Sequence, residues 1–149
     1  MHPAAGSTPY RIAQSSALTG CNALAVLPDD SVSAAAFSSN GNPLVSASGV
    51  VAAPFSSDTF TNPWGEAFVG ATSARAAAIY VSNIGGTIDR IALTGDTQSV
   101  FTEIAKGFCG SGAPGALFGI ATAVDAQGRQ IIYFNDDNTN TVMLSLIHI

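Results

Sequence analysis

Glu66 is the residue in this sequence best placed to do chemistry, because it interrupts an apolar run that begins with Trp64 and Gly65. A carboxyl group held among apolar neighbours has a raised pKa, which makes it a candidate for proton transfer or ligand binding. Alternatively, Glu66 stands at a strand end and its carboxylate faces solvent. Trp64 beside it could stack on a ligand, or it could only fill space between packed sheets. Glu66 and Trp64 are therefore the candidate ligand-binding residues, with both interpretations open.

A candidate metal site lies near the end of the chain, in the polar run at 136–140. Oxygen ligands at alternate positions, here Asp136, Asn138 and Asn140, are typical of calcium-binding loops. Such loops continue with a glycine and end in a glutamate, whereas here Thr141 follows and the final position is not acidic. A turn between two strands explains the same residues, because Asp and Asn side chains cap their own backbone in turns. The turn is the favoured interpretation.

The remaining residues do not supply a catalytic apparatus. A serine nucleophile needs a neighbouring base, and the sequence has only two histidines, His2 and His148. The two pairs of adjacent aspartates lie in predicted turns, where solvation is expected. We therefore assign no catalytic residue and no cofactor, and the sequence favours a protein that binds over an enzyme.

The composition excludes several classes of protein. Charged residues make up 10% of the 149 residues, the net charge is −5, and the five basic residues are scattered. They cannot form the basic surface that nucleic acid requires. No apolar run is long enough for a transmembrane helix, and the N-terminus lacks the regions of a signal peptide. A chain rich in Ala, Ser, Thr, Asn and Gly is typical of a β-rich secreted or surface protein, so we expect an extracellular location.

Cys21 and Cys109 are the only cysteines. Two cysteines this far apart in sequence do not make a metal-binding motif. They form a disulfide in an oxidising compartment, or they are two small buried thiols. The sequence leaves both alternatives open.

A repeated segment determines the predicted architecture. The pattern around Gly65 and Tyr80 returns around Gly119 and Tyr133, at spacings of 54 and 53 residues, and a weaker copy precedes both. Short apolar runs between turn residues predict strands throughout and almost no helix. Four strands joined by tight turns form one blade of a β-propeller. The predicted fold class is therefore all-β, a partial β-propeller of two to three four-stranded antiparallel blades.

These units resemble a known family of repeats. Residues 62–68, 79–83 and 87–91 are similar to NHL-type β-propeller repeats, and the next unit matches the same template. The resemblance covers residues 20–144 and implies a bacterial secreted or periplasmic protein. It implies a binding or scaffold module that presents loops to a protein, glycan or small-molecule ligand. The alternative is a fragment of a lactonase-like, metal-dependent hydrolase whose site residues lie largely outside this segment.

The predicted organisation has three parts. Residues 1–17 form a lead-in segment, residues 18–144 hold blades at about 18–60, 61–107 and 115–144, and residues 145–149 form a tail. The last six residues resemble the translation of an adapter used in shotgun sequencing, which indicates a truncated fragment. Two to three blades cannot close a ring of about four to eight, so we expect exposed terminal faces and association between chains.

Overall fold

Strands dominate the computed structural model, which describes residues 11–52, 60–94, 100–105 and 117–146. Within those ranges the only helical element is one 3-10 turn at Ser16–Leu18, and no helix is long and apolar enough to cross a membrane. The strands in these ranges are β1 (Cys21–Val26), β2 (Val32–Ala36), β3 (Leu44–Val45), β4 (Val51–Ala52), β5 (Pro63–Val69), β6 (Ala78–Asn83), β7 (Ile88–Ala92), β8 (Val100–Ala105), β9 (Leu117–Val124), β10 (Gln130–Asp136) and β11 (Thr141–Leu146). The prediction of an all-β fold is confirmed.

The strands form three antiparallel sheets, which we call blades 1, 2 and 3. Blade 1 has the order β1-β2-β3-β4, blade 2 the order β5-β6-β7-β8, and blade 3 the order β11-β10-β9. Consecutive strands pair in each sheet, as expected for strands joined by tight turns. Asp30, Asn40 and Asn140 adopt positive φ in these turns, a conformation that Asp and Asn tolerate better than other side chains. Two sheets have four strands and one has three, in agreement with the predicted two to three blades.

Blade 2 is packed on both of its faces. Its first strand, β5, lies between the first strands of the other blades, β1 and β9. The pleat of β6 sends alternate side chains to opposite faces. Ile79 and Val81 therefore pack in a cluster with Leu27 of blade 1, whereas Ala78 and Tyr80 pack in a cluster with Leu117 of blade 3. All six residues of β6 are buried, which explains why Ala78 to Val81 are apolar without alternation.

Cys21 differs from both sequence-based alternatives. It is an exposed free thiol at the start of β1, and its sulfur donates a hydrogen bond to the Leu18 carbonyl oxygen at 3.1 Å. It is therefore neither half of a disulfide nor a buried thiol in this structure. Cys109 lies outside the described residues.

The last strand extends beyond the predicted end of the third unit. β11 runs to Leu146, and residues 145 and 146 pair with Ile132 and Ile131 of β10. This pairing describes the conformation of these two residues and not their origin. The adapter-derived tail stays a prediction.

Candidate functional site

Glu66 lies in the middle of β5, on the face of blade 2 that packs against blade 1. Phe68, two residues further along β5, packs in the cluster that blades 1 and 2 share, whereas Val69 packs in the cluster shared with blade 3. Glu66 points in the same direction as Phe68, because side chains two apart on a strand share a face. The residue is only 7% exposed. Its carboxyl group is therefore enclosed between two blades and does not face solvent.

The environment of Glu66 favours its neutral form. Burial raises the pKa of Glu66 to about 7, and hydrogen-bonding contacts from Ser33, Asn42 and the Ala35 N–H to its carboxylate oppose this rise. Two of these groups already have other partners: the Ser33 hydroxyl donates to Asn42 Oδ1 at 2.8 Å, and Asn42 Nδ2 donates to the Ala34 carbonyl oxygen at 3.1 Å. The contacts to Glu66 fall short of full hydrogen-bond geometry, so both of its buried carboxyl oxygens lack a well-formed partner among the described residues. Such a group is unusual in a protein interior.

The thiol of Cys21 marks an exposed surface close to Glu66. Partial burial raises the pKa of Cys21, and the charge of Glu66 adds to that rise, so the two groups are near enough to interact. Cys21 stands at a bulge, where the pairing of β1 with β2 shifts register before Ala23. We call Glu66 with Ser33, Asn42 and Cys21 the Glu66 site.

A second buried carboxyl group, Asp89, lies on the same face of blade 2. Val81 pairs with Glu66 on one side and with Asp89 on the other, so the three residues form a row across the sheet. Burial raises the pKa of Asp89 to about 7, and the negative charge of Glu103 adds to this rise. A hydrogen bond from Asn83 Nδ2 to Asp89 Oδ2, at 2.7 Å, opposes the rise. Its Oδ1 is buried without a partner in the described part of the chain.

Sequence reasoning missed Asp89, although a signal was available. The residue lies two positions before Ile91 in β7, so the two share a face, and Ile91 packs in the cluster between blades 1 and 2. An acidic residue on the apolar face of a strand is a candidate for burial. Glu66, which also stands among apolar neighbours on its strand, is a candidate for burial for the same reason.

Trp64 contacts all three blades. Its ring meets Phe37, which follows β2, at 5.6 Å between centroids, and Phe118 of β9 at 5.3 Å. Both pairs are edge-to-face, at 82° between ring planes, which is a favoured aromatic arrangement. The side chain is half-buried. Packing between blades therefore accounts for much of its surface, and its role in ligand binding stays a prediction.

Replacing Trp64 with alanine is expected to lower the free energy of unfolding by about 2 kcal/mol, because both edge-to-face contacts and much buried area are lost. Urea titration followed by circular dichroism would measure the change. Trp64→Phe serves as the control, since its smaller ring keeps part of both contacts. This variant should lose less than half as much stability as the alanine variant. Equal losses in the two variants would show that ring packing is not what Trp64 contributes.

The three metal candidates lie at the turn between β10 and β11. Asp136 is buried, and its Oδ1 accepts a hydrogen bond from the Asn138 N–H at 3.0 Å, as in an Asx turn. Asn138 and Asn140 are exposed, and Asn140 has a φ of 54°. No group of three or more His, Cys, Asp or Glu side chains in the described ranges could hold a metal ion. A role for these residues in metal binding stays a prediction.

Solved structures with a similar arrangement of blades identify the architecture. The structure of selenomethionine-substituted virginiamycin B lyase from Staphylococcus aureus matches with a TM-score of 0.54 and 17% identity, over 87% of this chain and 42% of the lyase. A streptogramin B lyase structure matches with a TM-score of 0.53 and 16% identity, over 83% of this chain and 36% of the lyase. The chain has a β-propeller-type fold. The predicted partial β-propeller is confirmed, and the low identities support the fold alone.

The chain spans less than half the length of either lyase. No family model matches the sequence, and no curated protein matches it significantly. Within the propeller, β1, β5 and β9 are the strands that meet side by side across the blades. The Glu66 site therefore lies at the junction of two blades, between the first strand of blade 2 and the first two strands of blade 1.

Proposed function

We propose that the chain is part of a ligand-binding β-propeller module and that the Glu66 site holds a polar group of the ligand. One observation carries the proposal: both carboxyl oxygens of Glu66 are buried without a well-formed hydrogen bond in the part of the chain that the structure describes. Leaving a buried polar group unpaired costs about 1–3 kcal/mol, so a carboxyl group kept in this state indicates a role beyond packing. With a pKa of about 7, it can both donate and accept hydrogen bonds at neutral pH.

The ligand suited to this site carries hydroxyl, amide or amine groups, as a glycan, a peptide or a small polar molecule does. The same proposal includes the finer features that the sequence predicts: NHL-type repeats, an extracellular or periplasmic location, and loops that present the ligand-binding surface. It also includes the absence of a nucleic-acid partner, which the net charge of −5 and the scattered basic residues support.

Thermal unfolding of the full chain tests the proposal. The probes are a panel of hexosamines, polyamines and short amidated peptides, each added in excess to wild-type protein, Glu66→Gln and Asp137→Asn. Asp137 is exposed in the turn after β10, away from the Glu66 site, so its variant is the matched control. At least one probe should raise the Tm of wild type and of Asp137→Asn, with about tenfold weaker binding to Glu66→Gln. No shift with any probe, or equal shifts in all three proteins, would contradict the proposal.

A fragment of a propeller enzyme, a lactonase-like metal-dependent hydrolase, is the second candidate. The observation that favours it is again Glu66, because a carboxyl group with a pKa of about 7 suits general acid–base catalysis at neutral pH. Titration of the full chain with Mg²⁺ and Ca²⁺ by calorimetry, together with an assay of γ-butyrolactone hydrolysis, separates the two candidates. A stoichiometric divalent ion and hydrolysis that is lost in Glu66→Gln would favour the enzyme. Ligand binding without either would favour the binding module.

A further inference from the structure

In the described part of the chain, blade 3 has an uncovered face that corresponds to a covered face of blade 2. In blade 2, Ala67 pairs with Tyr80, and in blade 3 the pairing of Ala121 with Tyr133 repeats this register. Tyr80 lies under blade 3 and is fully buried, whereas Tyr133 is 38% exposed. The same structural position is thus enclosed in one blade and open in the next.

The junction of blades 2 and 3 shows what such a face receives. The Gly65 N–H donates to the Ser82 hydroxyl at 3.1 Å, and this hydroxyl donates to the Phe118 carbonyl oxygen at 2.9 Å. The first strand of the following blade therefore lies directly over Gly65. Blade 3 repeats the pair, since the Gly119 N–H donates to Asn135 Oδ1. Among the described residues, Gly119 is exposed and no strand lies over it.

A shallow groove follows this open face of blade 3. Its lining includes Gly119, Ala121, Tyr133, Asn135 and Val142, and we call these five residues the blade 3 groove. Val142 is 78% exposed. A contiguous apolar surface of this kind marks an interaction site more often than isolated apolar residues do.

Blade 1, at the other end of the chain, presents a face of the complementary kind. The repeat aligns β1 with β9, so Leu24 and Val26 occupy the positions of Ile120 and Thr122. In blade 3 these two residues face blade 2: Ile120 packs on the shared cluster, and the Thr122 hydroxyl donates to the Phe68 carbonyl oxygen at 2.6 Å. No strand of the described ranges covers Leu24 and Val26 in this way, and the two residues are 65% and 66% exposed. The exposed face of blade 1 therefore corresponds to the face of blade 3 that covers blade 2. It is the type of face that would fit over the blade 3 groove.

We propose that a second copy of this chain covers the blade 3 groove with Leu24 and Val26 of its own blade 1. The contact joins unlike surfaces, head to tail, and repeats the junction that already links blades 2 and 3. When both ends are joined, two copies complete a ring of six blades, within the range of about four to eight found in closed propellers. None of the residues named on the two faces carries a charge, so the contact buries no unpaired ion. The proposal does not depend on the Glu66 site.

Molar mass in solution, measured by light scattering after size-exclusion chromatography, tests the proposal on the full chain. Wild type should have twice the 15.0 kDa mass of a single chain. Ala121→Arg and Val26→Glu each place a charge on one of the two faces, at positions exposed in the single chain, and both should be monomers. Ala126→Arg is the matched control, because Ala126 is exposed in the turn after β9, and it should remain a dimer. Circular dichroism verifies that each variant keeps its strands.

Mixing the two monomeric variants gives a second, independent test. In a pair formed by one Ala121→Arg chain and one Val26→Glu chain, one junction is wild type on both sides, so the mixture should regain the dimer. A wild-type monomer would overturn the proposal and would point to a further blade of a longer chain as the cover. A Val26→Glu dimer would overturn the head-to-tail contact, and an oligomer larger than a dimer would overturn the closed ring.

Discussion

A Gly65→Ala chain is expected to have a free energy of unfolding about 3 kcal/mol below that of wild type. A β-carbon on Gly65 would overlap the carbonyl oxygen of Phe118 and would come within 2.5 Å of the Ser82 hydroxyl. Neither obstacle can move away cheaply, since the first is backbone of β9 and the second is buried and bonded to that same oxygen. The added methyl group therefore separates blade 2 from blade 3 and breaks the hydrogen bond from Gly65 to Ser82.

Urea titration followed by the fluorescence of Trp64, the single tryptophan, measures this difference. Trp64 contacts Phe118 and so reports on the same junction. The matched control is Gly70→Ala, one residue beyond β5, where a β-carbon would have no heavy atom within 4 Å. Its stability should stay within about 0.5 kcal/mol of wild type. Equal stability of the Gly65→Ala and Gly70→Ala chains would contradict the close approach of β9 to β5.

The strands could be predicted because their local signals agree with one another. The continuous apolar run of β6 is bounded by Gly85, and the turn that follows leads into β7 as the glycine pair predicts. The spacing of the glycines and tyrosines revealed the repeat, and the repeat predicted the propeller architecture. Each of these signals lies within about ten residues of the element it predicts or recurs at a fixed period. A single sequence is therefore sufficient to predict the strands and the repeat.

Burial at the blade junctions could not be predicted in the same way. Glu66 and Phe68 occupy the same positions in β5 as Leu24 and Val26 do in β1, and both pairs lie on one face of a first strand. Glu66, the polar member of these four, is 7% exposed, whereas the apolar Leu24 and Val26 are about two-thirds exposed. The cause is not local: blade 1 covers the face of β5, and nothing in the described chain covers the face of β1. Residue type alone therefore gives the wrong order of burial here.

The stability of the chain is expected to fall as the pH rises from about 4 to 7, because Glu66 and Asp89 bind their protons more tightly in the folded state. Their pKa values rise from the usual 4.5 and 3.8 to about 7 on burial. Below the usual values both states are protonated and the full stability is present. Between those values and 7 the unfolded chain releases protons that the folded chain keeps, so unfolding becomes easier, and above 7 the loss is complete.

The window from pH 5 to 8 is free of opposing effects from two carboxylates on the surface. A hydrogen bond from the Ser31 hydroxyl lowers the pKa of Asp29, and one from the Arg129 N–H lowers the pKa of Asp125. A carboxyl group whose pKa is lowered by folding stabilises the folded chain at every pH above its usual pKa. This stabilisation is lost only as the pH falls through the pKa of the folded state. Both changes therefore lie at or below about pH 4. Among the shifted carboxyl groups of the described residues, Glu66 and Asp89 are therefore the two that change stability above pH 5.

Glu66 should account for a loss of about 3 kcal/mol over its whole titration, most of it between pH 4.5 and 7. The loss from Asp89 should be smaller than its pKa shift alone implies, because its carboxyl group is less completely removed from solvent. Glu66→Gln and Asp89→Asn stay neutral at every pH, so each variant should lose its own share of the decline, and the double variant should be nearly independent of pH between 5 and 8. Asp137→Asn, in the exposed turn after β10, is the control and should keep the full decline. Urea titrations at pH 5, 6, 7 and 8 measure these differences. Wild-type stability that rises over this range would mean that both groups are ionised in the folded chain, and the enclosure of Glu66 and Asp89 between blades 1 and 2 would then be wrong.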